Sequence, residues 1–306
     1  MKRIIGALLA CVMLMLSLTA CGGTGDGTAS KNPASHQSAS PTATMNNTGA
    51  NNAPITLVSR EDGSGTRGAF TELFGVLDPD KIDRTADRAE ITNSTSVMMT
   101  SITGNPDAIG YISLGSLNDT VKATRIDGVD ATVANINNGS YTISRPFNIA
   151  IKADASDLAQ DFIGFIMSAD GQDIIEANGY IRVEDTGAYS GSEPSGKIVV
   201  GGSSSVSPVM EKLIEGYLVI NTGADIALQT SDSSTGMKNT IDGVCDIGMA
   251  SRELKDSERE AGLRDITLAM DGIAVIVNND SPVDDLTKEQ VRQIFTGEIT
   301  NWSEIH

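Results

Sequence analysis

A glycine- and hydroxyl-rich segment near residue 60 has the residue types needed to hold an anion. Residues 55–70 have the sequence I-T-L-V-S-R-E-D-G-S-G-T-R-G-A-F. A short run of β-type residues leads into a turn that carries Ser64 and Thr66, and a helical pattern follows the turn. A helix start presents free backbone N–H groups and the positive end of the helix dipole, and Arg60 can add two parallel hydrogen bonds to an oxyanion. The segment therefore predicts an anion-binding loop.

Two further loops of the same kind follow predicted strands. The strand candidate at 197–200 leads into G-G-S-S-S-V, and the candidate at 226–229 leads into T-S-D-S-S-T-G. One such loop alone is an ordinary helix cap, but three of them predict several donors around one oxyanion. Arg252 ends another strand candidate, D-I-G-M-A-S-R. Strands that alternate with helices along the chain predict an α/β fold with largely parallel pairing.

Enzyme chemistry is the alternative interpretation of these loops. Residues 63–68 also satisfy the dinucleotide-binding pattern G-x-G-x-x-G, but residues 81–90 lack the expected second strand with an acidic end. A phosphatase-like site would need clustered carboxylates, and no D-x-D cluster ends a predicted strand. The two histidines, His36 and His306, lie far from the loops, and no Cys/His cluster is present. We therefore expect binding without catalysis, with neither a cofactor nor a metal.

The first 53 residues have the pattern of an export and tethering segment. Residues 1–20 combine a basic start with an apolar run that ends in small residues, which predicts a signal peptide. The following Cys21 completes L-T-A-C, which resembles a bacterial lipobox, so we expect lipid such as palmitate on this cysteine. Residues 21–53 are too poor in large apolar side chains to fold and predict a disordered tether. The expected location is the extracytoplasmic face of the cell membrane.

The acidic composition limits the choice of partners. The chain has 40 acidic and 22 basic side chains, which gives a formal net charge of −18. Such a charge disfavours binding to nucleic acid and to anionic lipid surfaces. Because Cys11 lies in the signal peptide and Cys21 is the expected lipid site, Cys245 is left alone and no intrachain disulfide is expected.

Several long motifs resemble those of the phosphate-binding protein of the phosphate ABC importer. They are V-S-R-E-D-G-S-G-T-R, G-G-S-S-S-V-S-P-V-M-E-K-L, D-S-S-T-G-M-K, D-I-G-M-A-S-R-E-L-K, M-D-G-I-A-V-I-V-N and L-T-K-E-Q-V-R-Q-I-F-T-G-E-I-T-N-W. The resemblance implies a two-lobed, type II periplasmic-binding-protein fold with two hinge crossovers. It also implies a monomer that passes inorganic phosphate to membrane permease subunits.

The order of these motifs differs from that of the family. There the G-S-S-S-V segment comes first, and N-W-S-E-I runs directly into P-I-T-L-V-S-R. The difference implies a circularly permuted order, with residues 184–195 joining the former ends. One expected lobe then consists of 54–143 plus 270–306 and carries the R-E-D-G-S-G-T-R loop. The other expected lobe is 144–269, with hinge crossings near 141–146 and 268–272.

Motif by motif, the resemblance implies the residues that contact phosphate. They are Arg60, Ser64, Gly65, Thr66, Ser205, Val206, Ser233, Ser251 and Arg252. Some members of the family have Asp at the position of Arg252. A carboxylate there accepts the proton of hydrogenphosphate, which sulfate lacks. We expect Asp271 or Asp62 to take over this role. A binder or sensor of another tetrahedral oxyanion, such as sulfate or molybdate, is the alternative.

Overall fold

The computed structural model describes residues 53–305, so the predicted signal peptide, Cys21, the tether before Ala53, and His306 lie outside it. None of the described helices is long and apolar enough to cross a membrane. Short 3₁₀ turns lie at Leu114–Ser116 and Trp302–Glu304. In chain order the other elements are β1 (Thr56–Arg60), α1 (Gly65–Leu73), β2 (Glu90–Thr92), α2 (Thr95–Thr103), β3 (Ala108–Ser113), β4 (Lys122–Ala123), β5 (Arg125–Ile126), α3 (Val133–Asn137), β6 (Ser144–Ile151), α4 (Asp157–Met167), α5 (Ala169–Ala177), β7 (Gly196–Ser203), α6 (Ser207–Ile220), β8 (Ala224–Ser231), α7 (Ser233–Ile241), β9 (Ile247–Ala250), α8 (Asp256–Glu260), β10 (Arg264–Val277), β11 (Asp285–Leu286) and α9 (Lys288–Thr296).

Most of the described strands form a single mixed sheet. Its order is β2-β1-β3-β10-β6-β9-β7-β8, with β4 beside β10, while β5 and β11 pair separately. At one end β1 is parallel to β2 and β3, and at the other β7 is parallel to β8 and β9. In the middle, β10 is antiparallel to β3 and β6, and β6 is antiparallel to β9. The predicted parallel pairing is therefore confirmed at the two ends and wrong in the middle.

The apolar side chains form two main cores. The first core contains buried residues from Ile55 to Ile143 and from Ile273 to Trp302. The second contains buried residues from Phe147 to Ala269. We call the parts of the chain around these cores the first lobe and the second lobe. Burial of these apolar side chains is the main stabilising term in each lobe.

Strand β10 belongs to both lobes. Its residues from Arg264 to Gly272 pair with β6, and its residues from Ile273 onward pair with β3. The apolar run 273–277 is fully buried, which suits a strand covered on both faces. Strand β6 begins opposite Gly272 at Ser144, so both chain crossings between the lobes lie side by side at this position.

Local sequence explains two differences between the pattern and the structure. The pattern predicts a helix over 69–77, but α1 already begins at Gly65 because the Ser64 hydroxyl accepts the Arg67 N–H and caps it. The weak alternation at 132–136 predicts extended chain, but this stretch forms the short helix α3. There the Thr132 side chain accepts the Asn135 N–H.

The two ends of the described chain lie together. Pro54 and Asn301 form an antiparallel bridge, and the Ile55 N–H donates to the Thr300 carbonyl over 2.8 Å. The connection at 184–195 is fastened to α4 instead. Asp161 on α4 accepts the Tyr189 hydroxyl at 2.5 Å and the Ser192 N–H at 2.8 Å.

Candidate anion-binding site

Strand ends from both lobes face each other across the middle of β10. In the first lobe, β3 ends at Ser113 opposite Ile273. In the second lobe, β6 runs away from this place and β9 is antiparallel to β6, so β9 runs toward it. Strands β7 and β8 have the same direction as β9. The two sets of carboxyl ends therefore point toward the same place. Helices α1, α2, α6 and α7 begin just beyond such strand ends, so their positive ends face the space between the lobes.

Arg60 is the charged side chain at this place. It ends β1, and only 2% of its side chain is exposed. Glu61 holds one edge of its guanidinium, with Nε and Nη2 each 2.8 Å from a carboxylate oxygen. Nη2 also donates to the Ser204 hydroxyl of the second lobe at 3.1 Å, and Nη1 lies 3.5 Å from the Thr95 hydroxyl. A buried guanidinium held in this way is oriented before an anion arrives.

Seven buried hydroxyl side chains contact one another and reach Arg60 through Thr95 and Ser204. This hydroxyl cluster consists of Thr66, Thr95, Ser203, Ser204, Ser205, Ser233 and Ser251. Thr66 Oγ1 lies 2.7 Å from Ser205 Oγ across the seam between the lobes, and Thr95 Oγ1 lies 3.3 Å from the same atom. Ser251 Oγ lies 3.0 Å from Ser203 Oγ and 3.4 Å from Ser233 Oγ. Each hydroxyl can rotate its proton toward an acceptor, so the cluster is a ready set of donors.

Glycines allow the two lobes to approach at this seam. A Cβ added to Gly65 would lie 2.5 Å from Ser233 Oγ and 2.8 Å from Ser251 Oγ, both in the second lobe. Gly63 has φ +91, a conformation that side chains disfavour, and its carbonyl accepts the Ser234 N–H at 3.2 Å. The α1 loop can therefore lie against the start of α7 only because these two positions lack side chains.

The structure uses three of the expected residues in other ways. Ser64 lies at the seam, where its hydroxyl oxygen accepts the Arg67 N–H and caps α1. The proton of this hydroxyl can still donate to another group. The Val206 N–H donates to the Ser203 carbonyl at 3.0 Å, and the Val206 side chain belongs to the second core. Arg252 is paired through two hydrogen bonds with Glu258, at 2.9 and 2.7 Å, and has no hydrogen bond to the hydroxyl cluster.

Glu258 neutralises the positive charge of Arg252. Burial acts to raise the pKa of the Glu258 carboxyl, but the hydrogen bonds from Arg252 and from the Lys255 N–H outweigh burial and leave this pKa below its ordinary value. The glutamate is therefore ionised at neutral pH.

The two expected proton acceptors lie in different surroundings. The Asp62 side chain is 99% exposed and lies 3.1 Å from Arg67, away from the hydroxyl cluster. Asp271 is buried in the middle of β10. Its Oδ1 accepts the Ser113 hydroxyl at 2.9 Å and the Gly115 N–H at 3.2 Å, and its Oδ2 accepts Arg145 Nη2 at 3.2 Å. Burial raises the pKa of Asp271 to about 6, although Arg145 and the two hydrogen-bond donors oppose this rise.

Sequence reasoning missed part of the hydroxyl cluster. Thr95 follows β2, which has only three residues. The sequence around β2 shows no β-type run, so it did not predict a strand that ends before Thr95. Ser203 and Ser204 stand in the G-S-S-S-V loop, and nothing in that loop distinguishes them from Ser205. The Thr-Ser-Thr-Ser capping sequence at 92, 94, 95 and 96 was the only signal that a further helix start was close.

In the described part of the chain, the hydroxyl cluster provides hydrogen-bond donors and no contacting carboxylate. Within residues 53–305, no hydroxyl of the cluster is hydrogen-bonded to a carboxylate that could act as a general base. The same residues contain no group of three or more His, Cys, Asp or Glu side chains that could hold a metal ion. What the site offers is one oriented guanidinium, several hydroxyl donors and the starts of four helices.

Comparison with known proteins gives consistent results. The model of the PBP superfamily domain matches residues 35–170 and 187–305. Phosphate-binding protein PstS 2 of Streptococcus agalactiae serotype V is 53% identical over 256 residues, 82% of this chain and 87% of that protein. The protein of the same name from Streptococcus pneumoniae serotype 4 is 43% identical over 298 residues, 95% of this chain and 98% of its own length.

Among solved structures, the phosphate-binding protein of a phosphate ABC transporter from Streptococcus pneumoniae TIGR4 is similar to this chain. Its TM-score is 0.66 at 44% identity, with 83% of this chain and 100% of that chain covered. The chain therefore belongs to the PBP superfamily and, within it, to the family of the PstS phosphate-binding proteins. Other relatives named phosphate-binding protein PstS align over only 36 to 40% of this chain.

The raised pKa of Asp271 predicts a specific pH dependence of stability. Its pKa rises from 3.8 to about 6 on folding, so between these values the folded state binds more protons than the unfolded state. The stabilising contribution of Asp271 is therefore complete below pH 3.8 and is lost as the pH rises through 6. Relative to Asp271→Asn, the free energy of unfolding of the parent protein should fall by up to about 3 kcal/mol over this interval.

Urea unfolding of both proteins at pH 4 and pH 7.5 measures this difference. The subtraction removes the contributions of all other titrating groups, which the two proteins share. A difference between the two proteins that stays constant with pH, or that grows in favour of the parent as the pH rises, would contradict the assignment.

Proposed function

We propose that this chain binds inorganic phosphate between its two lobes and delivers it to the membrane permease subunits of an ABC-type phosphate importer. The observation that carries the proposal is the buried Arg60 guanidinium, which is hydrogen-bonded to Ser204 of the other lobe and surrounded by hydroxyl donors. Phosphate presents four oxygens in a tetrahedron and needs donors on all sides. Donors from both lobes supply them only when the lobes are together, so the ligand favours closure.

The proposed ligand contacts come from both lobes. They are Arg60, Ser64, Gly65 and Thr66 from the first lobe, and Ser205, Val206, Ser233 and Ser251 from the second. For Gly65 and Val206 the contact would be a backbone N–H, and for Val206 this N–H would have to leave the Ser203 carbonyl. Arg252, which the family motif also implies, is left out because Glu258 holds its guanidinium.

Asp271 is the proposed acceptor of the ligand proton. A carboxylate has about four lone-pair positions, and three of those on Asp271 are occupied by Ser113, Gly115 and Arg145. The remaining position on Oδ2 can accept the proton of hydrogenphosphate. Sulfate has no such proton and would place an oxygen lone pair against the carboxylate, so the site would favour phosphate. Asp62 is too exposed for this role.

Binding without turnover and extracytoplasmic anchoring complete the proposal. The hydroxyl cluster lacks a contacting base in the described part of the chain, which supports capture and release rather than hydrolysis. The lipobox-like sequence before Cys21 supports export, lipidation with palmitate and attachment to the cell membrane. We also propose that the protein acts as a monomer, because all the proposed ligand contacts come from one chain.

We further infer that the segment order is circularly permuted relative to other phosphate-binding proteins. The partial matches to several PstS relatives support this. When two segments are exchanged between two sequences, one continuous alignment can include only one of them. The pairing of Pro54 with Asn301 also supports it, because a continuous chain could pass through this point. The nearly full-length matches to the PstS 2 proteins indicate that those relatives share the present order.

Calorimetry with phosphate and sulfate tests the function. Phosphate should bind at one site per chain and sulfate should bind at least about tenfold more weakly at pH 7.5. Asp271→Asn should reduce this preference by about tenfold or more, because a lost hydrogen bond to a charged group changes affinity by that amount. Asp62→Asn, at an exposed position, is the matched control and should leave the preference unchanged.

Equal affinity for phosphate and sulfate in the parent protein would overturn phosphate selectivity and favour a general oxyanion binder. Release of inorganic phosphate from a phosphomonoester, with turnover that Thr66→Val abolishes, would instead establish the enzyme alternative.

Gly65→Ala should prevent tight closure on the ligand. The added methyl group would lie within 2.8 Å of two hydroxyl oxygens of the second lobe, so the lobes or these hydroxyls must move apart. We expect phosphate affinity to fall by at least about tenfold. Gly68→Ala on the same helix is the matched control, because nothing lies within 4 Å of its added methyl group. Calorimetry of both variants checks this, and equal affinities would show that the seam is not where the ligand binds.

A further inference from the structure

Buried side-chain atoms without hydrogen-bond partners are concentrated at one place in the described chain. They are Ser116 Oγ, Arg145 Nε, Arg145 Nη1 and the Tyr180 hydroxyl. The Tyr180 hydroxyl lies near Ser116 and Ser113, so these hydroxyls can interact weakly with one another and the two Arg145 nitrogens are the groups left without an acceptor. All three side chains lie around Asp271. Arg145 is hydrogen-bonded to Asp271. The Gly115 N–H also donates to Asp271, and the Tyr180 ring packs against Gly115. Ser116 is the next residue in the chain. Native proteins leave few buried polar groups unpaired, so such a concentration indicates a ligand or a mechanistic role.

Arg145 is the costliest of these groups to leave unpaired. Its guanidinium keeps its charge at any physiological pH, and only 2% of the side chain is exposed. One nitrogen, Nη2, donates to Asp271 at 3.2 Å, while Nε and Nη1 have no acceptor. The guanidinium also lies over the Phe147 ring, 5.3 Å from its centroid, but a ring face does not replace an acceptor, and burying charged donors without acceptors is unfavourable.

The register of the sheet places Arg145 between the two sets of strand ends. Arg145 on β6 stands directly opposite Asp271 on β10, one residue from the point where β10 changes its partner from β6 to β3. Ser113, which donates to Asp271, ends β3. Along the sheet, this position therefore lies between the strand ends of the first lobe and those of the second lobe.

A chain of contacts connects Arg145 to Arg60 across four neighbouring strands. Tyr111 and Ser113 stand two residues apart, so they lie on the same face of β3. The Tyr111 hydroxyl accepts the backbone N–H of Arg60 at 3.3 Å, and Ser113 donates to Asp271, which accepts from Arg145. Burial lowers the pKa of Arg145, Asp271 opposes this, and the positive charge of Arg60 lowers it further. Two buried positive charges therefore lie close enough to repel each other, and an anion between them would relieve this repulsion.

Each of the two arginines is hydrogen-bonded to one carboxylate. Glu61 occupies one edge of the Arg60 guanidinium, and Asp271 occupies one nitrogen of Arg145. We propose that Arg145 is a second phosphate-binding arginine at the crossing between the lobes, with Nε and Nη1 donating to the ligand. The proposal rests on the proposed function and adds to it a contact with the strands that join the lobes. Asp271 would then both orient Arg145 and face the ligand.

Phosphate calorimetry of Arg145→Gln and Arg145→Lys tests this assignment. Arg145→Gln removes the charge and should weaken binding by at least about tenfold. Arg145→Lys keeps a charge beside Asp271 but loses the planar fork, so its loss should be smaller yet measurable. Arg182→Gln is the matched control, because it removes a positive charge from the same lobe at a surface ion pair with Asp173 and Asp185. It should bind phosphate like the parent protein.

A second readout separates binding from stability. A purely structural arginine would lower the melting temperature without ligand but preserve the rise that phosphate produces, whereas a binding arginine would reduce that rise. In NMR spectra of the parent protein, the ¹⁵N–¹H signal of Arg145 Nε should shift when phosphate is added. This measurement needs no variant, so it remains possible even if a variant fails to fold.

The outcomes distinguish this proposal from the one it rests on. Binding by Arg145→Gln and Arg145→Lys within twofold of the parent protein, or an Nε signal that phosphate leaves unmoved, would overturn the role of Arg145 and leave phosphate binding intact. Absence of phosphate binding by the parent protein would overturn both.

Discussion

The burial of the Arg60 guanidinium is the interaction on which the rest of the site depends. A charged group with only 2% of its side chain exposed needs hydrogen-bonding partners. Because the chain has a net charge of −18, an anion can bind only where positive charge and donors are concentrated locally. Glu61 supplies charge balance on one edge, and Thr95 and Ser204 supply acceptors on the other. Because Ser204 belongs to the second lobe, the lobes must be close together for this burial to be stable. The buried charge, the hydroxyl cluster and the contact between the lobes therefore depend on one another.

The long strand β10 explains how distant parts of the chain reach this feature. Each lobe has its own apolar core, and β10 passes from one core to the other while it changes its partner from β6 to β3. The strand ends of both lobes therefore meet over its middle. Residues near 60, 95, 204, 233 and 251 come together there although up to 191 positions separate them. The buried pair of Arg145 and Asp271 stands at the same crossing.

The sequence predicted the parts of the site that lie in recognisable strand–loop–helix units. The strand–loop–helix pattern predicted the loops, and the resemblance to the phosphate-binding family named Ser64, Gly65, Thr66, Ser205 and Ser233 within them. All of these residues lie at or beside the seam between the lobes. The α/β class followed from the same alternation. The pattern predicted largely parallel pairing and did not reveal the antiparallel middle of the sheet, because nothing local in β6 or β10 shows that they cross between the lobes in opposite directions.

The contacts that the sequence did not reveal depend on distant partners. The attraction of Arg252 for an oxyanion was inferred from its position, but Glu258 on α8 neutralises it. The free donors of Arg145 become visible only when the strand register brings it opposite Asp271. Asp62 stands beside the loop in sequence and yet points into solvent. Motif spacing describes the backbone of a loop better than the direction of its charged side chains.

A crystal structure of the protein with phosphate tests the central claim most directly. We expect one phosphate ion between the lobes, with oxygens about 2.6 to 3.2 Å from the guanidinium of Arg60 and from the hydroxyls of Thr66, Ser205 and Ser233. The Thr66 and Ser205 hydroxyls, now 2.7 Å apart, should each turn to the ligand. A phosphate ion bound anywhere else, with these side chains still bonded only to one another, would contradict the account.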